Sequence, residues 1–176
     1  MIDDIILVDE NDKQIGTSEK MAVHEAGKLH RAFSILIFNS GGELMLQKRV
    51  SEKYHCGGLW TNTCCSHPRP GESLVTATSR RLQEEMGFDC ELKEIFSFVY
   101  KIRFANGLTE NEFDHVFVGK YDGQPIINPS EVSDWRWVKM SDLIDDIHQN
   151  KADYTPWFCR IIDEYQKNCL MFDNLV

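Results

Sequence analysis

Cys65 and His67 stand two apart in the stretch Trp60-Thr61-Asn62-Thr63-Cys64-Cys65-Ser66-His67-Pro68-Arg69-Pro70-Gly71-Glu72. In an extended segment, residues i and i+2 share a face, so this thiol and imidazole could serve one cavity. Glu110 and Glu112 repeat the spacing, with Asp114 following, and His24 and His30 add two imidazoles. These residue types ask for a metal, a proton-transfer reaction, or both. Imidazoles and carboxylates suit Mn, Zn or Fe, and five such ligands exceed the tetrahedral set of structural zinc. If that strand face carried no metal, its three carboxylates would be expected to be wet. A second group, Lys20, Arg49, Lys53 and Arg81, suits phosphate if the fold brings it together. Arginine forks match phosphate oxygens, and lysine adds a mobile point charge. Read singly, Lys20 is a solvated helix charge and Arg81–Glu85 a surface ion pair. His55, His115 and His148 are read as structural or solvent-facing.

The elements that must position these groups follow from pattern. Ile2 to Val8 reads as a first strand and Gln14 to Thr17 as its return. Ser18 is expected to cap a helix over Glu19–Glu25 that stops at Gly27. Ala32 to Phe38 is a buried central strand. Asn39 to Gly42 is a turn, and Glu43 to Arg49 should pair back on the central strand. Glu72 to Met86 is an amphipathic helix ended by Gly87. Phe88 to Phe104 is one or two strands, Asn106-Gly107 a hairpin turn, and Thr109 to Tyr121 the return strand. Asp134 to Val138 is a short strand, and Ser141 should cap a helix reaching His148. Thr155 and Pro156 open a last helix whose buried stripe is Phe158, Ile161, Ile162, Tyr165 and Cys169.

A chain of 176 residues with 42% hydrophobic and 27% charged residues suits one soluble domain over 1–176. The net charge of −9 argues against a general nucleic-acid binder. No apolar run is long enough to span a bilayer, and Met1 to Asp4 lacks signal-peptide character. The six cysteines contain no C-x-x-C pair and are expected as reduced thiols in a cytoplasmic protein.

Glu72-x7-Arg80-Arg81-Leu82-x-Glu84-Glu85-x-Gly87-Phe88 resembles the helix half of the Nudix box, G-x5-E-x7-R-E-U-x-E-E-x-G-U. Ser66 stands for the opening glycine, and Arg81 for an acid that normally helps hold magnesium. More specific are Asn62-Thr63-x-Cys65-x-His67-Pro68, Glu110-Asn111-Glu112 and Tyr154-Thr155-Pro156-Trp157. Together they resemble the type I isopentenyl diphosphate isomerases, Nudix-fold enzymes of isoprenoid biosynthesis, from about Ile5 through Trp157.

The resemblance implies an α+β fold, a mixed β-sheet core flanked by helices as an α/β/α sandwich. It implies interconversion of isopentenyl and dimethylallyl diphosphate through a tertiary carbocation. His24, His30, His67, Glu110 and Glu112 would bind one divalent metal (Mn, Zn or Mg). Cys65 and Glu112 would be the acid/base pair, Tyr100 would assist Glu112, and Trp157 would face the cation. Lys20, Arg49, Lys53 and Arg81 would hold the diphosphate of a small isoprenoid substrate. Its Mg²⁺ would be bridged by Glu85 and the Cys65 carbonyl. A monomer or weak dimer with no nucleic-acid or membrane partner is expected. The basic neighbourhood is expected to favour the Cys65 thiolate. Trp60, Trp135, Phe33 and Tyr100 are further candidates for the cavity wall, and Cys64 is assigned to packing. A nucleotide-cleaving Nudix hydrolase would share the fold but has no use for Cys65 or the histidines. A non-catalytic metal-binding domain would leave the basic set unexplained.

Overall fold

The computed structural model of the chain describes residues 4–172, with side chains through residue 167. The order is β1 (Asp4–Val8), β2 (Gln14–Glu19), α1 (Lys20–Ala26), β3 (His30–Phe38), β4 (Glu43–Arg49), β5 (Trp60–Thr61) and β6 (Cys64–Ser66). There follow α2 (Leu74–Met86), β7 (Leu92–Arg103), β8 (Thr109–Lys120), β9 (Val132–Lys139), α3 (Met140–Gln149), a 3₁₀ turn (Lys151–Asp153) and α4 (Pro156–Phe172).

The sheet is mixed. β3 is its spine: it runs parallel to β8 over its whole length and antiparallel to β6. A strand covered on both faces reads as an apolar run, and Ala32 to Phe38 is buried throughout; its one polar residue, Ser34, is 2% exposed and hydrogen-bonded. One face packs Leu36, Leu44 and Leu46 against α3 and α4 through Leu143, Phe158 and Ile161. The other packs Phe33, Ile35 and Met45 against α2 through Ala77, Leu82 and Met86. Helices thus cover both faces of the sheet, the arrangement expected.

Several local expectations need correction. β4 touches β3 only at Phe38–Leu44 and instead pairs along its length with β9, from Glu43–Lys139 to Arg49–Val132. The turn at Asn39–Gly42 therefore splays two strands that find separate partners. Glu19, not Ser18, caps α1, its carboxylate accepting from the Met21 and Ala22 amides at 2.9 and 2.8 Å. A carboxylate also suits the positive end of the helix. The α2 helix begins at Leu74, with Ser73 accepting from the Thr76 amide at 3.1 Å. α3 starts after Lys139 with no side-chain cap, and Ser141 lies inside it. Gly27 and Gly87 end α1 and α2 in the left-handed region, φ 62° and 75°, as a helix stop requires. Ile2 and Asp3 of the strand expected over Ile2 to Val8, and the side chain of Cys169, lie outside the described residues.

Candidate active site

Strand register explains how distant residues meet. On β3 and β8, His30 lies opposite Glu112; across β8 and β7, Glu112 lies opposite Tyr100. On the other side of β3, Ser34 pairs with Cys65 of β6. His67 follows two residues later, on the face expected from its spacing. His24 is delivered by the last turn of α1, which Gly27 then reverses toward His30.

Among the described residues, one group can hold a metal ion: His24, His30, His67, Glu110 and Glu112, each offering an atom within 4.8 Å of the others. The imidazole orientations fit that use. His24 Nδ1 lies 2.6 Å from the Lys20 carbonyl and His30 Nδ1 2.9 Å from the Lys28 carbonyl. A carbonyl can only accept, so both Nδ1 atoms carry protons, which leaves both Nε2 atoms as the ones that would offer lone pairs to a bound cation. Buried His24 Nε2, His30 Nε2 and Glu110 Oε2 have no hydrogen-bond partner among the described residues. Unpartnered buried polar atoms are costly, and a divalent cation satisfies this set. His24 Nε2 is 3.1 Å from Glu110 Oε2, and His67 Nε2 is 2.9 Å from Glu112 Oε1.

Electrostatics separates the three carboxyls of β8. Burial would raise Glu110, but His24 and His55 outweigh it and hold it well below the usual carboxylate range. Burial and Glu110 both push Glu112 up, yet His30 and His67 leave it lowered. Asp114 is pushed well above its ordinary value by burial and then by Glu112, so it carries a proton. Its Oδ2 accepts from Ser34 Oγ at 2.9 Å. The wet face expected for a metal-free strand is not found: Glu110, Glu112 and Asp114 are 3%, 8% and 1% exposed. Burial lowers His67 to about 4 against the pull of Glu112, which keeps the imidazole neutral. Tyr100, raised well by burial and then by Glu112, remains a phenol that donates to Glu112 Oε2.

The expected Cys65 thiolate is corrected. Burial pushes this thiol up to about 12, and the opposing charge of Arg49 is too weak to reverse it. Cys65 is therefore an S–H group, suited to donating a proton. Cys64 is wholly buried in the α2-side core, as assigned.

One cavity is lined by Cys65, His67, Glu110, Glu112, Tyr100 and Trp157, and by Lys20, Arg49, Lys53, Arg81 and Glu85. His24 and His30 are fully buried behind it. The basic set does converge, and Lys20 lines the cavity in addition to lying 5.3 Å from the Tyr54 ring. Arg81 and Glu85 form no surface pair: their side chains are 17% and 7% exposed, and Gln47 Nε2 donates to Glu85 at 2.8 Å. Lys53 pairs with Glu131, a residue sequence reading passed over because it lies in a loop without periodicity. Of the aromatic candidates, Phe33, Tyr100 and Trp157 line the cavity, whereas Trp60 and Trp135 do not. Trp60 lies under Arg136, 4.3 Å from ring centre to guanidinium, and Trp135 packs on the α2-side core. Trp157 already receives a cation, with Arg49 Cζ 5.2 Å from its ring. His55, read as structural or solvent-facing, is buried with Nε2 2.5 Å from Glu110 Oε1. His115 lies elsewhere, between Glu94 and Asp12 at 2.7 and 3.1 Å.

The Nudix-box acid Glu72 does not reach the cavity lining. It accepts from the Arg69 amide at 2.9 Å and from Arg80 through both oxygens at 2.7 and 2.8 Å. In this chain it clamps the loop before α2.

Residues 28–158 match the NUDIX domain family. The chain is 54% identical over 163 residues to isopentenyl-diphosphate Delta-isomerase 2 of Aromatoleum aromaticum, covering 93% of this chain and 86% of that protein. It is 52% identical over 159 residues to a protein of the same name from Photorhabdus laumondii, covering 90% of each. In structure it is similar to a Deinococcus radiodurans protein, with a TM-score of 0.70 and 22% identity, covering 84% of this chain and 90% of that one. A NUDIX hydrolase from Nitrosomonas europaea gives a TM-score of 0.59 at 22% identity, covering 80% and 90%. These two likenesses concern the fold.

Proposed function

Because this chain belongs to the NUDIX domain family and, within it, to the isopentenyl-diphosphate Delta-isomerases, we propose that its cavity performs that isomerisation with Cys65 and Glu112 as the acid/base pair. The chain is an isomerase of isoprenoid biosynthesis acting on a small diphosphate. The observation that carries the residue assignment is convergence: a thiol, a carboxylate, an aromatic face and the basic set line one cavity.

Isomerisation moves a double bond by adding a proton at one carbon and removing one at another. The group that donates in one direction accepts in the reverse. Cys65, kept as a thiol, and Glu112, kept ionised, start in complementary states. Tyr100 holds Glu112 Oε2, which leaves Oε1 toward His67. Trp157 stabilises the tertiary carbocation through its ring face, on the order of 1–2 kcal/mol when desolvated. Phe33, Tyr100 and Trp157 exclude the water that would trap the cation as an alcohol. Lys20, Arg49, Lys53 and Arg81 hold the diphosphate and so orient the alkene. Lys53 and Arg81 exchange their Glu131 and Glu85 contacts for phosphate oxygens.

His24, His30, His67, Glu110 and Glu112 would hold a divalent ion, here assigned as Mn, Zn or Mg. Such an ion supplies positive charge that fixes Glu112 and tunes its acidity. Glu85 and the Cys65 carbonyl would hold the Mg²⁺ that accompanies the diphosphate. The net charge of −9 supports a protein without nucleic-acid partners. No described helix is long and apolar enough to cross a membrane. We assign the chain as one domain over 1–176, a cytoplasmic monomer or weak dimer.

Cys65→Ser and Glu112→Gln test the assignment. Each should lower kcat at least a hundredfold while the thermal unfolding midpoint stays within a few degrees of wild type. A wild-type rate in either variant would remove that residue from the pair.

A further inference from the structure

The two metal-site carboxylates are held in the same way. Glu112 turns Oε1 to His67 and gives Oε2 to Tyr100. Glu110 turns Oε2 to His24 and His30, at 3.1 and 3.9 Å, and leaves Oε1 2.5 Å from His55 Nε2. Both ring nitrogens of His55 are buried without an aligned hydrogen bond among the described residues, and Glu110 Oε1 is the carboxylate oxygen within ion-pair distance of Nε2. A neutral imidazole beside a carboxylate gains only if its proton faces that carboxylate, so the favoured tautomer is Nε2–H.

The ring has no freedom to turn away. Phe104 stacks on it at 5.0 Å and 19°, while Tyr54 and Trp157 meet it edge-on at 4.3 and 5.5 Å. The loop that carries it is equally fixed. Asn106 donates to the Tyr54 carbonyl at 3.1 Å, and Arg49 to the His55 carbonyl at 3.4 Å. Gly57 closes the loop where a Cβ would lie 2.3 Å from the Ser51 carbonyl oxygen.

We propose that His55 is a positioning residue that holds Glu110 in the single-oxygen orientation a divalent ion needs and braces the Trp157 ring that faces the cation. The inference rests on the metal-site reading above. Tyr100 and His55 then do one job for two carboxylates: each takes the outer oxygen and directs the inner one at the three imidazoles. His55 adds a mechanical link, because the same ring touches both Glu110 and Trp157. A shift of Glu110 is thereby transmitted to the wall of the isoprenoid cavity.

The test uses the full chain, stripped of metal, with Mn²⁺ or Zn²⁺ alone as the probe in calorimetric titration. Glu110→Gln serves as the reference. His55→Phe keeps the ring packing and removes the N–H; His55→Gln restores a donor. His55→Phe should weaken metal binding roughly 10–100-fold, with the unfolding midpoint of the metal-free protein close to wild type. His55→Gln should recover a large part of that loss. Wild-type metal affinity in His55→Phe would overturn the proposal. Equal weakening in both variants would overturn it too, because packing rather than the donor would then be at work. Imidazole ¹⁵N spectra of the wild-type Zn²⁺ form need no variant. They should show His55 protonated on Nε2 and unligated; a ligated ring, or a proton on Nδ1, would refute the role. If wild type and Glu110→Gln bound Zn²⁺ equally poorly, the metal site itself would fall, and this inference with it.

Discussion

The Tyr100 hydroxyl donates to Glu112 Oε2 across the β7–β8 ladder, where the two residues are directly opposed. Directly opposed residues of neighbouring strands keep a fixed separation. The phenol can therefore neither leave nor ionise while Glu112 is charged. Tyr100→Phe should leave metal stoichiometry unchanged and lower kcat by roughly 10–100-fold, the usual effect of losing such a partner. Steady-state kinetics beside metal analysis checks this. A variant with full kcat would show that Glu112 needs no such hold.

Cys64 lies beside the reactive thiol but contributes through burial. It is fully inaccessible, and burial, then Glu85, raises its thiol well above the ordinary value. The folded protein thus keeps a proton that the unfolded chain loses above its thiol pKa of about 8.5. Stability is unaffected below that pH and falls as pH rises, by up to about 1.4 kcal/mol per unit. Cys64→Ala should be less stable than wild type at pH 7, by about 1–2 kcal/mol for the lost packing. Its stability should then decline less steeply between pH 9 and 10.5. Urea unfolding at each pH measures both; parallel pH profiles would contradict the buried-thiol account.

Glu72 and Arg80 form a two-pronged pair on the loop before α2. Arg80, then burial against it, then the Arg69 amide set the Glu72 pKa, and the net effect is to lower it. Its contribution is therefore present above the unfolded value of about 4.3 and is lost as pH falls through the folded value. Glu72→Gln should cost about 1 kcal/mol at pH 7, and the difference from wild type should close in acid. Metal affinity at the His/Glu site should not change. A Glu72→Gln protein that folds normally but loses the metal would return this residue to the metal-holding role of the general Nudix pattern.

Much of the site can be read from the sequence because its members come in short, regular spacings. Cys65 with His67 and Glu110 with Glu112 each sit two apart on extended chain, so one register argument faces both pairs into one cavity. Gly27 marks the reversal between His24 and His30. Other features depend on contacts far away in the chain. The partner of β4 is β9, roughly ninety residues on, and no local turn signal announces it. His55 stands alone in a loop, so nothing local distinguishes it from a solvent-facing histidine. The Cys65 protonation state depends on the sum of burial and charge, and burial wins against Arg49. Trp60 and Trp135 have the same composition signal as Trp157 but point to other packing. α1 and α3 start after Glu19 and Lys139 rather than at the nearby serines because strand pairing carries β2 to Glu19 and β9 to Lys139; Glu19 caps its helix with its side chain and Lys139 does not.

The most direct measurement follows the metal-replete protein with isopentenyl diphosphate and Mg²⁺ in D₂O by proton, deuterium and phosphorus NMR. Proton addition and removal inside one cavity should yield dimethylallyl diphosphate carrying deuterium, with the diphosphate intact and no phosphate or pyrophosphate released. Chelation should stop the reaction. Unchanged, unlabelled substrate, or release of phosphate from it, would contradict the account.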